Sequence, residues 1–375
     1  MQGVAMRQQM EMAGPENAGE MLPRERVLRA LSRQEPDRVP FLETVVAEPV
    51  ALELLGLQPS RAAHGDLSQT GDDVLIGSLF DSPLYEPVDL ARTLGLDGFG
   101  MYLFARHEGI QEDVDGRAMV TGGRVKRRAD LARIHLPDPH DPAIYAPYRQ
   151  FVARYRDAGY ALFAFLNLGS DPTIFSMGFE TFALALYEQP DLVADLFDLY
   201  ADWYAQVAPH LCALGFDFLW FGDDIAFKSA PYVSPRIFRD LFVPRYRKVI
   251  DRVSLPWIFH SDGNLMPILD DLVSLGMSGL HPIEPEAMDL GEVKRRYGDR
   301  LCLVGNISVD RLSRGAPAEI EALVKQAIET AGPGGGYIAG SSNSIASYCR
   351  AENVRAMAEA IRRYGRYPLS IEGRR

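Results

Sequence analysis

The sequence predicts an α/β protein folded as a single (β/α)8 barrel. Three observations carry this. Eight short apolar runs alternate with longer stretches of helical period, and no linker-like break in composition divides the 375 residues. Those runs also end, one after another, in ionisable or amide residues, as strands do at the catalytic rim of a barrel.

Residues 1–22 mix charges, Gly and Pro without a period and read as a flexible arm. The barrel is expected over 23–367, with a short tail at 368–375. The first helix begins near Arg24, where Val27, Leu28 and Leu31 take helical spacing. The eight strands are expected at 39–45 (VPFLETV), 98–104 (GFGMYLF), 161–167 (ALFAFLN), 216–221 (FDFLWF), 256–260 (PWIFH), 278–282 (SGLHP), 301–305 (LCLVG) and 336–340 (GYIAG). Each is short, rich in β-formers and polar mainly at its end, as a strand covered on both faces should be. The stretch 106–133 reads as an inserted β-hairpin turning at Gly122-Gly123.

Helices are predicted between the strands. Asp141-Pro142 and Ser234-Pro235 each pair an N-cap residue with a proline suited to the first turn. They open helices over 142–158 and from 235 onward, and Pro244 should kink or divide the second. Amphipathic stretches at 192–214, 317–330 and 352–363 complete the set. The patch Gly332-Pro333-Gly334-Gly335-Gly336 precedes the last strand and matches no nucleotide-binding fingerprint, so it reads as a loop.

Composition excludes several classes. Hydrophobic residues are 47% and charged residues 24%, the balance of a globular chain. With 51 acidic against 39 basic residues the formal charge is −12, the opposite of what displacing counterions from nucleic acid requires. The N-terminus has no apolar signal segment, and no apolar run is long enough to cross a bilayer, so a cytoplasmic protein is expected. Three widely spaced cysteines make no disulfide framework. Cys212 and Cys302 read as core and Cys349 as a surface candidate.

Function should lie at the C-terminal strand ends. The candidates there are Glu43, Asn167, Asp223-Asp224, His260-Ser261-Asp262, His281, Glu284, Asn306 and the turn Ser341-Ser342-Asn343-Ser344. His260-x-Asp262 is the sharpest, because residues two apart on an extended strand leave it toward one side and can reach one ion or one proton. With Glu284 and Asn343 they make a His/Asp/Glu/Asn ligand set suited to a borderline-to-hard divalent ion. The alternative is a hydrogen-bonded pair that orders the loop. Of Asp223 and Asp224, side by side, one need enter the mouth, as a general acid/base or a cation holder, while the other caps a segment. His281 is a mouth residue or a satisfied core histidine. Asn306 and Ser342 are candidate substrate contacts or ordinary turn residues.

The order of motifs resembles the uroporphyrinogen decarboxylase superfamily. The carriers are RERVLRALSRQEPDRVPF, GDDIAFKSAPYVSPRIFRDLFVPRYRKVID, HSDGNLMPILDDLVSLGMSGLHPIEPEAMDLGEVKRRYGDRLCLVGNI and GYIAGSSNSIASYCRAENVRAM, spanning about 24–367. The resemblance implies the (β/α)8 barrel and one of two activities, decarboxylation of a porphyrinogen or cobalamin-dependent methyl transfer. Decarboxylases carry an N-terminal arginine motif (MRQAGR) that grips the propionates. The matching stretch here reads Pro40-Phe41-Leu42-Glu43-Thr44-Val45, with a carboxylate instead. The methyltransferase branch holds zinc through His-x-Cys, a later Cys and an exchangeable Glu. Here His260 and Glu284 match, while Asp262 and Asn343 stand where the thiolates would be.

The resemblance therefore implies methyl transfer between a corrinoid donor, carried by a partner protein, and a small acceptor. Asp223, Asp224 and His260 would be catalytic, and zinc or another divalent metal would lie among His260, Asp262, Glu284 and Asn343. Glu43, Asn167, His281, Asn306 and Ser342 would contact substrate. A decarboxylase, of uroporphyrinogen without a cofactor or of a smaller carboxylated compound, is the alternative, and an inert corrinoid- or partner-binding homologue is a third. A homodimer fits the resemblance; a nucleic-acid or membrane partner does not.

Overall fold

In a computed structural model the described residues are 20–58, 74–78, 82–114 and 117–369. Most of the expected arm and the end of the tail lie outside them. Among the described residues ten strands form: β1 (Val74–Ser78), β2 (Gly98–Ala105), β3 (Gly109–Val114), β4 (Arg117–Gly123), β5 (Ala161–Leu166), β6 (Phe218–Gly222), β7 (Trp257–His260), β8 (Gly279–His281), β9 (Cys302–Val304) and β10 (Tyr337–Ile338). Eight of them share one sheet in the order β1-β2-β5-β6-β7-β8-β9-β10. From β2 to β10 every pairing is parallel, and helices fill the connections, so this is an α/β fold on a parallel sheet.

Seven of the eight expected strands coincide with β2 and β5 to β10. The expected strand at 39–45 differs: it makes only isolated parallel bridges, Phe41 with Ala339 and Val46 with Ile345. Pro40 has no N–H to donate, and the N–H of Phe41 goes to the Asp97 carboxylate at 2.8 Å. Regular pairing is therefore interrupted at two successive residues. The segment still touches both flanks, because Leu42 N–H donates to Ala339 at 3.0 Å and Asp97 N–H to Phe41 at 2.8 Å. β1, antiparallel to β2, was not expected; its short run VLIGS carries little signal.

The stretch 106–133 holds the antiparallel pair β3–β4. Its turn is not at Gly122-Gly123: the strands meet between Val114 and Arg117, and those glycines pair with Ile110 and Gly109 at the other end. A Cβ on Gly123 would lie 2.3 Å from backbone atoms of Ser176 and Met177. Close approach, not a turn, explains the glycine.

Helix signals fared well. Asp141 accepts from Ala143 N–H and Ser234 from Ile237 N–H. Before Pro244 the helix widens into a π-turn, Phe238–Phe242, between α-helical Pro235–Ile237 and Val243–Ile250. A proline ring clashes with the carbonyl four residues back, and the wider turn relieves it. Among the described residues no helix is long and apolar enough to cross a membrane.

Strand beginnings are fastened by two aspartates used alike. Asp97 and Asp217 each give their N–H to a neighbouring segment (Phe41 and Leu162) and take an N–H from the same residue. Cations balance them: Arg26 at 2.5 Å and Arg38 at 2.9 Å on Asp97, Arg24 at 2.6 Å and Arg156 at 3.0 Å on Asp217. Cutting Asp97 to Ala strands the buried Arg26 without one partner and Phe41 N–H without any. It should cost about 3–5 kcal/mol, read as a lower denaturant midpoint. Asp310→Ala, which breaks an exposed i,i+4 pair, should cost under about 0.5 kcal/mol.

Candidate functional site

Register creates the site. Gly222 on β6 lies opposite His260 on β7, and His260 opposite His281 on β8. Pairing runs one step further, since Asp223 N–H donates to His260 and Ser261 N–H to His281, both at 3.1 Å. Asp224 and Asp262 therefore emerge level, and Asp262 N–H donates to Asp224 Oδ1 at 2.9 Å. Ligand atoms of Asp224, His260 and Asp262 all fall within 4.8 Å of one another.

Each member is oriented from behind. His260 Nδ1 is 2.6 Å from His281 Nδ1, so Nε2 is left to face Asp224, 3.8 Å away. His281 is nearly sealed, stacked on His260 and edge-on to Trp220. Burial, then the neighbouring His260, pushes its pKa well below the ordinary value, so it is a neutral positioning residue. Asp262 Oδ2 accepts from Asn343 Nδ2 at 2.5 Å, whereas its Oδ1 is buried without a hydrogen-bond partner. Burial lifts the Asp262 carboxyl to about 6, with Asp224 and Glu284 pushing the same way. Gly263 follows with φ +87°, and a Cβ there would meet the Ala226 and Phe227 carbonyls at 2.5–2.6 Å. The loop can bend back over the trio only through a glycine.

Asp223 has a different place from Asp224. It is fully buried and accepts from Asp171 N–H at 2.7 Å, Ser170 Oγ at 2.9 Å and Leu168 N–H. These donors open the helix Ser170–Met177, so Asp223 caps that helix from the neighbouring strand. Ser170 is in turn bonded to Tyr246 Oη at 2.7 Å. Asp171, which the sequence reading passed over, accepts Asp224 N–H at 2.9 Å. Burial first, then the Asp223 and Asp224 charges, hold its carboxyl well above the usual range. Burial likewise lifts the Asp223 carboxyl to about 7 against its three donors, so this acidic pair favours holding a proton. The tract Asp171-Pro172, right after a strand end, carried that signal. Asn167 donates to the Gly222 carbonyl and accepts from Tyr204 at 3.1 Å, a clasp between β5 and β6.

Asn343 and Glu284 reach the mouth, though not as members of the trio. Glu284 accepts Gly263 N–H at 3.0 Å and pairs with Lys228 at 3.1 Å. A cavity of about 520 Å³ opens there, lined by Asp262, Glu284, Glu286, Ser342, Asn343 and Lys228 among others. Ser342 spends its hydroxyl on Val309 N–H at 3.1 Å. Asn306 lines a separate cavity of about 360 Å³ beside Glu286, Ser308 and Arg311. Cys349 is buried, not at the surface, and burial pushes its thiol to about 11.

Glu43 is also enclosed, taking Ser341 N–H at 2.7 Å and Ser341 Oγ at 2.6 Å. Burial lifts its pKa from 4.5 to about 8 against the pull of those donors. The folded chain thus keeps a proton that the unfolded chain releases. Its stabilising effect is complete below pH 4.5 and is lost as pH rises toward about 8. Glu43→Gln should flatten the fall in unfolding free energy between pH 5 and 8 and be the more stable protein at pH 8, in denaturant titrations across that range.

The uroporphyrinogen decarboxylase (URO-D) family model matches residues 122–364. The methylcobamide:CoM methyltransferase MtaA of Methanosarcina barkeri is 30% identical over 178 residues, 47% of this chain and 50% of that protein. The chain thus spans half the length of this relative. A uroporphyrinogen decarboxylase of Alkalilimnicola ehrlichii is 24% identical over 369 residues, 91% of this chain and 94% of the other. Among solved structures, a methyltransferase from Methanosarcina mazei shares the fold with a TM-score of 0.70 at 21% identity, covering 92% of this chain and 99% of its own. With the family match covering well over half its length, this chain belongs to the uroporphyrinogen decarboxylase (URO-D) family.

Proposed function

We propose that this chain is a methyltransferase of the family, moving a methyl group between a corrinoid donor carried on a partner protein and a small acceptor. The observation that carries the reading is the Asp224–His260–Asp262 trio with the partnerless Asp262 Oδ1 beside it. A buried carboxylate oxygen without a donor is costly unless a cation meets it. One imidazole nitrogen and two carboxylates fit a divalent ion of borderline-to-hard character, not the thiolate-held zinc of the resemblance. Such an ion would lower the pKa of an acceptor thiol or hydroxyl.

The chain's own groups do the rest. His281 fixes the ring of His260, Asn343 fixes Asp262, and Lys228 holds Glu284 at the cavity edge. The acceptor gives up its proton to solvent through the open cavity. A corrinoid presented by the partner at this cavity would supply the methyl group to the acceptor lone pair and would keep the electron pair of its cobalt–carbon bond. MtaA, named as a methylcobamide methyltransferase, supports this reading by its similarity. The unit would be one barrel over 23–367, closed by the 38–46 segment between β10 and β2, with 1–22 and 368–375 as arm and tail. A homodimer in the cytoplasm is the natural setting.

Decarboxylation is the second reading, favoured by a match along 91% of the chain to a uroporphyrinogen decarboxylase. There the protonated Asp171 would supply the proton that replaces departing CO2. The cavity opposes it for a polyanionic porphyrinogen: Asp262, Glu284, Glu286 and Asp310 face only Lys228 and Arg314 among its charged lining. Incubation with methylcobalamin and a thiol, followed by the cob(I)alamin spectrum, tests the first reading. Uroporphyrinogen turnover without methyl transfer would replace it by the second. Purified protein should also bind a divalent ion that His260→Ala and Asp262→Ala abolish. His281→Ala, which frees the ring of His260, should weaken that ion by about 10–100-fold, measured by competition with a chelator.

A further inference from the structure

Two histidines far from the strand ends face one another on the outer surface. His140 precedes the helix Pro142–Tyr155, and His210 stands in the last turn of the helix Pro190–Cys212. His140 Nδ1 and His210 Nε2 are 3.0 Å apart, with the ring planes at 74°. His140 is exposed and His210 half-buried, so solutes reach both.

We propose that His140 and His210 form a second metal site, a bis-imidazole clip for a divalent ion of tetragonal preference, Cu2+ or Ni2+ before Zn2+. With metal–nitrogen bonds of roughly 2.0–2.1 Å, nitrogens 3.0 Å apart subtend roughly a right angle at the ion. That is the angle between adjacent positions of a tetragonal site, and Cu2+ binds imidazole nitrogen more strongly than Zn2+ does. Waters complete the coordination.

The surroundings favour a cation. His210 lies at the carbonyl end of a 23-residue helix, where the backbone dipole is negative. Asp138 adds a carboxylate, accepting His140 N–H at 2.9 Å. The segment that bears His140 is also anchored. Tyr145 donates its hydroxyl to the Pro139 carbonyl, and Trp203 Nε1 donates to the Pro137 carbonyl at 2.8 Å. Tyr145 lies against the His210 ring, centroids 4.8 Å apart. Only the imidazoles must turn for their lone pairs to converge. The hydrogen shared between the facing nitrogens shifts to the outer nitrogen of its ring, so neutral imidazoles load without net proton release. The ion would pin the segment around His140 to the long helix.

The test uses tag-free full-length protein carrying His260→Ala, which removes the imidazole of the strand-end trio. Calorimetric titration with Cu2+ and with Ni2+ should show one bound equivalent and a Tm that rises with metal concentration. Zn2+ should bind more weakly than either. Adding His140→Ala, an exposed change that leaves the core untouched, should weaken Cu2+ binding by about tenfold or more and abolish the imidazole–copper absorption. His210→Asn should do the same in protein whose circular dichroism is unchanged. No binding in the His260→Ala protein, or binding that survives His140→Ala undiminished, overturns the proposal.

Discussion

Everything at the strand ends depends on one constraint, the parallel register of β6, β7 and β8. Gly222, His260 and His281 lie abreast, and a slip of one residue would turn every side chain to the other face of its strand. Asp262 would then leave the trio and His281 would no longer back His260. The register is held from beneath by large buried aromatics. Phe163 stacks on Phe218 at 5.2 Å and meets Trp220 at 5.3 Å, while Trp220 reaches up to His281 at 5.0 Å. Burial of each such side chain contributes about 1.5–3 kcal/mol. The apolar layer therefore sets the height at which the polar one appears.

The two ends of the sheet handle buried acid differently. At the strand beginnings Asp97 and Asp217 are balanced by arginines, and they act as fasteners between segments. At the strand ends Asp171, Asp223, Asp224 and Asp262 gather without an arginine hydrogen-bonded to any of them among the described contacts. Backbone N–H groups and the Ser170 hydroxyl stabilise Asp223 instead, and burial favours a proton on the Asp171–Asp223 pair. Carboxylates kept in this state hold their charge ready for a cation or a proton. The candidate site thus lies at the end that lacks counter-charge.

Much of this was legible in the sequence where local chemistry decides it. Seven strands, the capped helix starts and the disruption at Pro244 follow from period, side-chain caps and a missing N–H. Asp262 lines one cavity with Asn343 and Glu284, while His260 groups with Asp262 and Asp224, and one of the Asp223-Asp224 pair does cap a segment. What escaped depends on distant partners. The segment 39–45 reads as a strand until the Asp97 carboxylate takes its N–H, 56 residues away. Gly122-Gly123 reads as a turn until the backbone of Ser176 and Met177 crowds against it. Asp171 entered the acidic group, and Asp224 displaced Glu284 and Asn343 from the tightest cluster, through side-chain directions that spacing does not encode.

The exchange of thiolates for Asp262 and Asn343 is coherent with the structure around it. A thiolate pair would bind zinc outright and need little help. A carboxylate binds a borderline ion less strongly, and its orientation matters more. Here one oxygen of Asp262 is tied to Asn343, and the other is left free beside the imidazole nitrogen of His260. On the proposed reading, Asn343 would aim a ligand instead of being one. The same logic extends to His281, which spends its own nitrogen on directing that of His260. A weaker, better-aimed donor set exchanges its outer positions more readily than a closed thiolate site. On the proposed reading, that property would suit an ion that takes up and releases an acceptor in every turnover.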